Sequence, residues 1–136
     1  MVQKSPEQDI FDYFYSFSLK NQYKTYDYLP AKENNAPYPF VYVGNVQGVS
    51  GGSKTALNGS VVIDIDVWGN QKQRLTVSTM VDRFFHAAIG RIDGLNYVFY
   101  GKVQDQSKQI RVDTSVPNTV LVRGMLNLRL QILGVI

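Results

Sequence analysis

Apolar and polar residues alternate with a period of two along 61–68, so that Val61, Ile63, Ile65 and Val67 fall on one side of an extended chain and Val62, Asp64, Asp66 and Trp68 on the other. The pattern predicts a strand with one core face. A helical period governs two other stretches. Ile10, Phe11, Phe14 and Phe17 recur three and four residues apart and make one apolar face up to about Lys20. Ser5-Pro6-Glu7-Gln8 supplies the start of that helix: Ser5 as cap, Pro6 in the first turn and Gln8 placed to complete a capping box. Val77, Val81, Phe84, Phe85 and Ala88 form the second apolar stripe. It is preceded by a capping box over 70–73 and followed by Gly90 in the C-cap place.

The remaining segments fill in around these. Residues 38–46 read as a first strand, 48–59 as a long flexible loop with four glycines, and 95–103 as a third strand. After a polar segment containing Pro117, 119–132 reads as a long final strand. Val120, Val122, Leu126, Leu128, Leu130 and Ile132 point inward, Arg123, Asn127, Arg129 and Gln131 point away, and Gly124 marks a bulge. The stretch 21–37 is polar but carries Tyr23, Tyr26, Tyr28 and Leu29, which predicts a packed, irregular connection. The order helix, strand, strand, helix, strand, strand predicts an α+β domain: an antiparallel or mixed sheet of about four strands with two helices packed on one face. The other face carries Asp64, Asp66, Arg123 and Arg129, with Trp68 and Met125 near them, and cover by another subunit would leave it partly buried.

Composition changes this picture little. A chain of 136 residues is one domain by size, 1–136, with the helix and tyrosine-rich connection over 1–37 and the sheet and second helix over 38–136. The absence of cysteine removes disulfides and thiolate metal sites and fits folding in a reducing cytoplasm. A polar start and the lack of a long uncharged apolar run predict a soluble protein without signal peptide or membrane span. The formal charge of +3 is scattered, which gives nucleic-acid binding a weak footing.

Three stretches imitate chemical motifs. Residues 48–55 approach a P-loop, but Ser53 replaces the glycine before Lys54, and Thr55 is followed by a segment leading into a strand where a phosphate-binding helix is required. Ser78, Asp82 and His86 share a helix stripe in the manner of a hydrolytic triad. At 1.5 Å rise per residue, however, Ser78 and His86 lie about 12 Å apart along the axis, too far for proton transfer. Asp64 and Asp66 lie about 7 Å apart on one strand face and want a third ligand to hold a metal, so pairing with Arg123 and Arg129 is the better reading. The tyrosines lack the interleaved lysine and arginine of a base-stacking groove. No catalytic, cofactor or metal site is expected, and the chain reads as a non-enzyme.

Pro39-Phe40-Val41-Tyr42-Val43-Gly44, then Ser53-Lys54-Thr55, then the strand ending Asp66-Val67-Trp68 and the amphipathic helix after it resemble the tail terminator, or tail-completion, proteins of long-tailed bacteriophages. The closing Val122-Arg123-Gly124-Met125-Leu126-Asn127-Leu128 is similar to that family's last strand, so the resemblance runs from about Pro37 onward; the connection over 21–36 is longer than the family pattern. The resemblance implies a structural virion protein made in the host cytoplasm and placed at the head-proximal end of the tail. It implies a hexameric ring that stops tube polymerisation and joins the tail to the head connector. Its expected partners are its own copies, the tail tube protein and the connector or stopper protein, with genomic DNA passing through unbound. Lys54, Asp64, Asp66, Arg123 and Arg129 are the candidate assembly contacts. The competing classes are a small nucleic-acid-binding module, which predicts steep salt dependence, and a nucleotide-binding or hydrolytic protein, which requires an ordered phosphate loop.

Overall fold

Most of the residues that alternation and helical periodicity place on one side of an element lie in the core. A computed structural model describes residues 4–30, 37–50 and 59–136. Helix α1 (Pro6–Lys20) starts where the cap predicts: the Ser5 hydroxyl accepts the Gln8 N–H at 3.1 Å. The box is half made, because the Gln8 side chain instead donates to Asp12 at 2.8 Å. Strands β1 (Thr25–Tyr26), β2 (Phe40–Val49) and β3 (Ser60–Asn70) follow. The box at Asn70 is complete, with Asn70 and Gln73 bonding each other's backbone across a 3-10 turn that leads into α2 (Arg74–Ala87). The chain ends with β4 (Gly90–Asp93), β5 (Tyr97–Gly101), β6 (Ser107–Asp113) and β7 (Leu121–Val135).

The domain is α+β, but its sheet has seven strands where about four were expected. The order is β1-β2-β3-β7-β5-β4, and β6 also pairs with β7. The sheet is mixed, since β1 runs parallel to β2 while the other pairs are antiparallel. β3 lies along one edge of β7 from Ser60↔Gln131 to Asn70↔Leu121. On the opposite edge β6 and β5 succeed one another, opposite the first and last parts of β7.

Both helices cover one face. Val61, Ile63, Ile65 and Val67 of β3 and Leu126, Leu128 and Leu130 of β7 are buried there with Ile10 and Phe14 of α1 and Val77, Val81 and Phe84 of α2. Phe17 and Tyr23 close over the Phe84 ring edge, so the start of the connection is packed as expected.

Gly124 is not a bulge. Its register against Val67 is continuous, and a side chain there would meet Val81 Cγ2 at 2.3 Å and Val77 Cγ1 at 3.1 Å. The missing side chain lets α2 lie close to the sheet. The bulges fall in β2 between Val43 and Val46 and where β5 meets the end of β7. Gly90 takes the left-handed φ of 91° but stands beyond the cap residue Ala88 and opens β4. Val120, expected inward, precedes β7 and is exposed.

Candidate functional site

The outward face of the sheet holds the charged residues picked out by alternation. Antiparallel register sets Asp66 opposite Met125 and Trp68 opposite Arg123, and the diagonal brings the Arg123 guanidinium to Asp66, with Nη2 donating to Oδ2 at 2.7 Å. The same guanidinium stands 4.8 Å over the Trp68 ring, a cation–π contact that fixes its plane. Burial raises the Asp66 carboxyl above its ordinary value, the hydrogen bond and charge of Arg123 pull it down, and Asp64 adds to the rise; burial prevails.

Asp64 pairs otherwise than expected. Asn127 lies directly opposite and donates its amide to Asp64 Oδ1 at 2.8 Å. Arg129 sits opposite Val62 and gives its Nε to the Ser60 hydroxyl at 3.3 Å. Of the two expected aspartate–arginine pairs, one is formed and the other is replaced by an amide and a hydroxyl. Arg129 is also tied through its backbone: its N–H donates to Gln106 Oε1 and its carbonyl accepts from Gln106 Nε2, both at 2.8 Å. These residues line two hollows along the face. One, of about 350 Å³, lies over Tyr42, Asp64, Asp66, Arg123 and Asn127; the other, of about 260 Å³, lies over Ser60, Lys102, Asp105 and Arg129.

At one end the outward face is closed by this chain itself. Phe40, Trp68 and Leu121 are buried under Tyr26, Tyr38, Tyr42 and Val116, a small second core built from the tyrosine-rich connection and the turn before β7. The burial of Trp68 therefore needs no second subunit.

The imitation motifs resolve differently. His86 Nδ1 lies 2.8 Å from the Asp82 carbonyl oxygen, while the Asp82 carboxylate takes Lys108 Nζ at 2.6 Å, so neither group is directed at Ser78. Lys108's hydrogen bond holds the Asp82 carboxyl below its ordinary value, and the lysine also stands over the Phe85 ring at 4.5 Å. Gly48 and Val49 of the P-loop-like stretch belong to β2, whereas Lys54 and the rest of 51–58 lie outside the described residues. Among the described residues no three His, Cys, Asp or Glu side chains gather in a way that would hold a metal. No described helix is long and apolar enough to cross a membrane.

The polar residue that periodicity passes over is Asp9. It is buried in α1, and its carboxylate accepts three backbone N–H groups of the β4–β5 turn, those of Leu95, Asn96 and Tyr97, each at 3.0 Å. Gly94 is obligatory beneath it, since a side chain there would meet Asp9 Oδ2 at 2.3 Å. In sequence Asp9 reads only as an acid in a first helical turn. The turn it holds is more than eighty residues away.

Fold and face together define a two-layer α+β domain whose open sheet face carries paired charges. Comparison with protein-family models and with curated proteins found no match for the chain.

Proposed function

We propose that this protein is a ring-forming structural component of a phage tail, a tail terminator that caps the tube and joins it to the head connector. The observation that carries the reading is the outward sheet face. Its part-buried Asp66–Arg123 pair, Asp64–Asn127 bond and Arg129 tether form a rigid, specific polar surface suited to protein contact. Asp66 is engaged by Arg123, Asp64 by Asn127 and Arg129 by Ser60, which suits recognition better than chemistry on a bound substrate. The sequence resemblance from about Pro37 onward supplies the particular assembly.

Capping follows physically if one side of the ring matches the terminal tube subunits and the other does not reproduce a tube subunit's surface, so that no further layer nucleates. The test is to mix purified protein with tail tubes and measure mass and shape. A six-fold ring of roughly 90 kDa seated on one tube end, with elongation stopped, supports the reading, given a 15.4 kDa chain. Tubes that elongate unchanged with no ring attached would overturn it.

A further inference from the structure

On the outward face Arg123 is held by a carboxylate and an aromatic ring together, Asp66 at 2.7 Å and Trp68 at 4.8 Å. A second such pair stands beside it without an arginine. Asp64, two residues before Asp66 on β3, is an exposed carboxylate whose only side-chain hydrogen bond to a described residue comes from the neutral amide of Asn127. Tyr42, opposite Asp66, lays its ring over Gly44 toward Asp64: a side chain at Gly44 would meet Tyr42 Cε2 at 3.3 Å and the Asp64 carbonyl oxygen at 3.4 Å. Tyr42, Asp64 and Asp66 line the hollow of about 350 Å³, where Arg123 is the one cation among the described residues. Two carboxylates thus share one guanidinium, and Asp64 adds to the rise of the Asp66 carboxyl.

We propose that this hollow takes the Arg74 side chain of a second copy of the chain, its guanidinium bonded to Asp64 and lying against the Tyr42 ring. Elimination leads to Arg74. Of the six arginines, Arg123 is engaged by Asp66, Arg91 by Asp93, Arg83 by Asn21 and Tyr23, and Arg129 by Ser60. Arg111 lies on the hollow's own face, opposite Arg123. Arg74 is exposed in the helix layer and has no side-chain hydrogen bond or ion pair to a described residue.

Its position is electrostatically unfavourable within one copy. Arg74 opens α2 at the positive end of the helix dipole, and the first turn contains no acid. An incoming Asp64 carboxylate meets both the guanidinium and that helix end. Leu75 beside it is 80% exposed, and the rim of the hollow offers it Met125 and the Tyr42 ring. A guanidinium suits the site better than an ammonium, because it lies flat on a ring while forking to a carboxylate. The two surfaces belong to opposite layers of the domain, so the contact is heterologous: each copy gives Arg74 to one neighbour and its hollow to another. Such a contact closes into a ring or runs on as a filament according to the rotation per copy. It is argued from the charges and rests on the terminator reading only for closure at six.

Charge reversal tests the pairing, with association of the concentrated protein read by sedimentation velocity. The parent is expected to associate beyond the dimer. Arg74→Glu and Asp64→Arg are each expected to weaken that association by at least about tenfold, and the two together to restore it. A parent that stays monomeric when concentrated, or unchanged association in Arg74→Glu, overturns the proposal. A second measurement reads the hollow apart from assembly. N-acetyl-arginine amide added to isotope-labelled Arg74→Glu protein is expected to shift the amide signals of Tyr42 and Asp64 saturably, and its neutral citrulline analogue to leave them in place. Equal shifts from the two probes, or shifts that persist when Asp64→Asn is added, overturn the assignment. A six-fold ring that seats on tube ends unchanged in Arg74→Glu removes this contact and leaves the terminator reading standing. Arg74-dependent association into open filaments, with tubes that elongate unchanged, confirms the contact and removes that reading.

Discussion

In the same two strands, β3 and β7, neighbouring residues live under different conditions. Val61, Ile63, Ile65, Leu126, Leu128 and Leu130 are sealed beneath α1 and α2, while Asp64, Asp66, Arg123 and Arg129 one position away stand on a face that Tyr26, Tyr38 and their neighbours partly cover. The sealed side is held by non-directional burial, so any apolar residue of suitable size serves and partner identity matters little. The open side is held by directed bonds, where the register chooses each partner. A two-residue difference in register decides whether Asp64 faces Arg129 or Asn127. The first side is therefore built for stability and the second for specificity.

The hardest test of this contrast is Phe84→Ala against Asp64→Asn. Phe84 is fully buried between the sheet and the rings of Phe17 and Tyr23. Its truncation is expected to lower the unfolding free energy by about 3–5 kcal/mol, a large part of the stability of an ordinary domain. Asp64→Asn removes one exposed acceptor opposite Asn127 and is expected to change stability by less than about 1 kcal/mol. Urea unfolding of the two variants measures both. Equal losses would erase the distinction between the faces.

How much of this was legible in the sequence follows the same division. The β3 alternation, both helices, the Ser5 cap and the box at Asn70 were readable because each depends on residues within a few positions of one another. β6 was not, because an exposed edge strand has little apolar alternation to display: only Ile110 and Val112 mark its inner side. β1 is a two-residue strand defined by its neighbour β2 more than by its own sequence. Gly124 was visible as a special position, but its reason is the approach of Val77 and Val81 from a helix more than forty residues earlier, so a bulge was the wrong explanation. On the candidate site, alternation put Asp64, Asp66, Arg123 and Arg129 on one face, yet only Asp66 and Arg123 pair, because partner choice lies in the register.

Asp9 sharpens the comparison, being a carboxylate on the sealed side. It lasts there because three backbone N–H groups of the β4–β5 turn point into it, so its charge is solvated by the chain. Asp9→Ala strands those donors beneath α1 and is expected to cost about 2–4 kcal/mol. Glu7→Ala, removing the other acid of the same first turn, tests the helix-dipole explanation and is expected to cost under about 1 kcal/mol. Thermal melts of the pair, with hydrogen exchange at Leu95, Asn96 and Tyr97, check the claim. Equal costs and unchanged protection at the turn would show that Asp9 acts only through the helix terminus.

The smallest expected effect lies on the open side and is read by its pH dependence. Burial holds the Asp66 carboxyl above its ordinary value despite the Arg123 contact. A carboxyl raised in the folded state binds its proton more tightly there than in the unfolded chain. Its contribution to stability is thus fully present below the unfolded value of 3.8 and is lost as pH rises through the raised folded value. The stability difference between the parent protein and Asp66→Asn should fall with rising pH across that window and stay flat above it. Asp82 provides the opposite sign: Lys108 lowers its carboxyl, so its contribution is present above the ordinary value and lost as pH falls through the lowered one. Denaturant unfolding at several pH values, comparing the parent with Asp66→Asn and with Asp82→Asn, separates the two slopes. A parent–Asp66→Asn difference that rises with pH would mean that Arg123 outweighs burial, and that even the part-buried pair on the open face is held by charge in the manner of an exposed one.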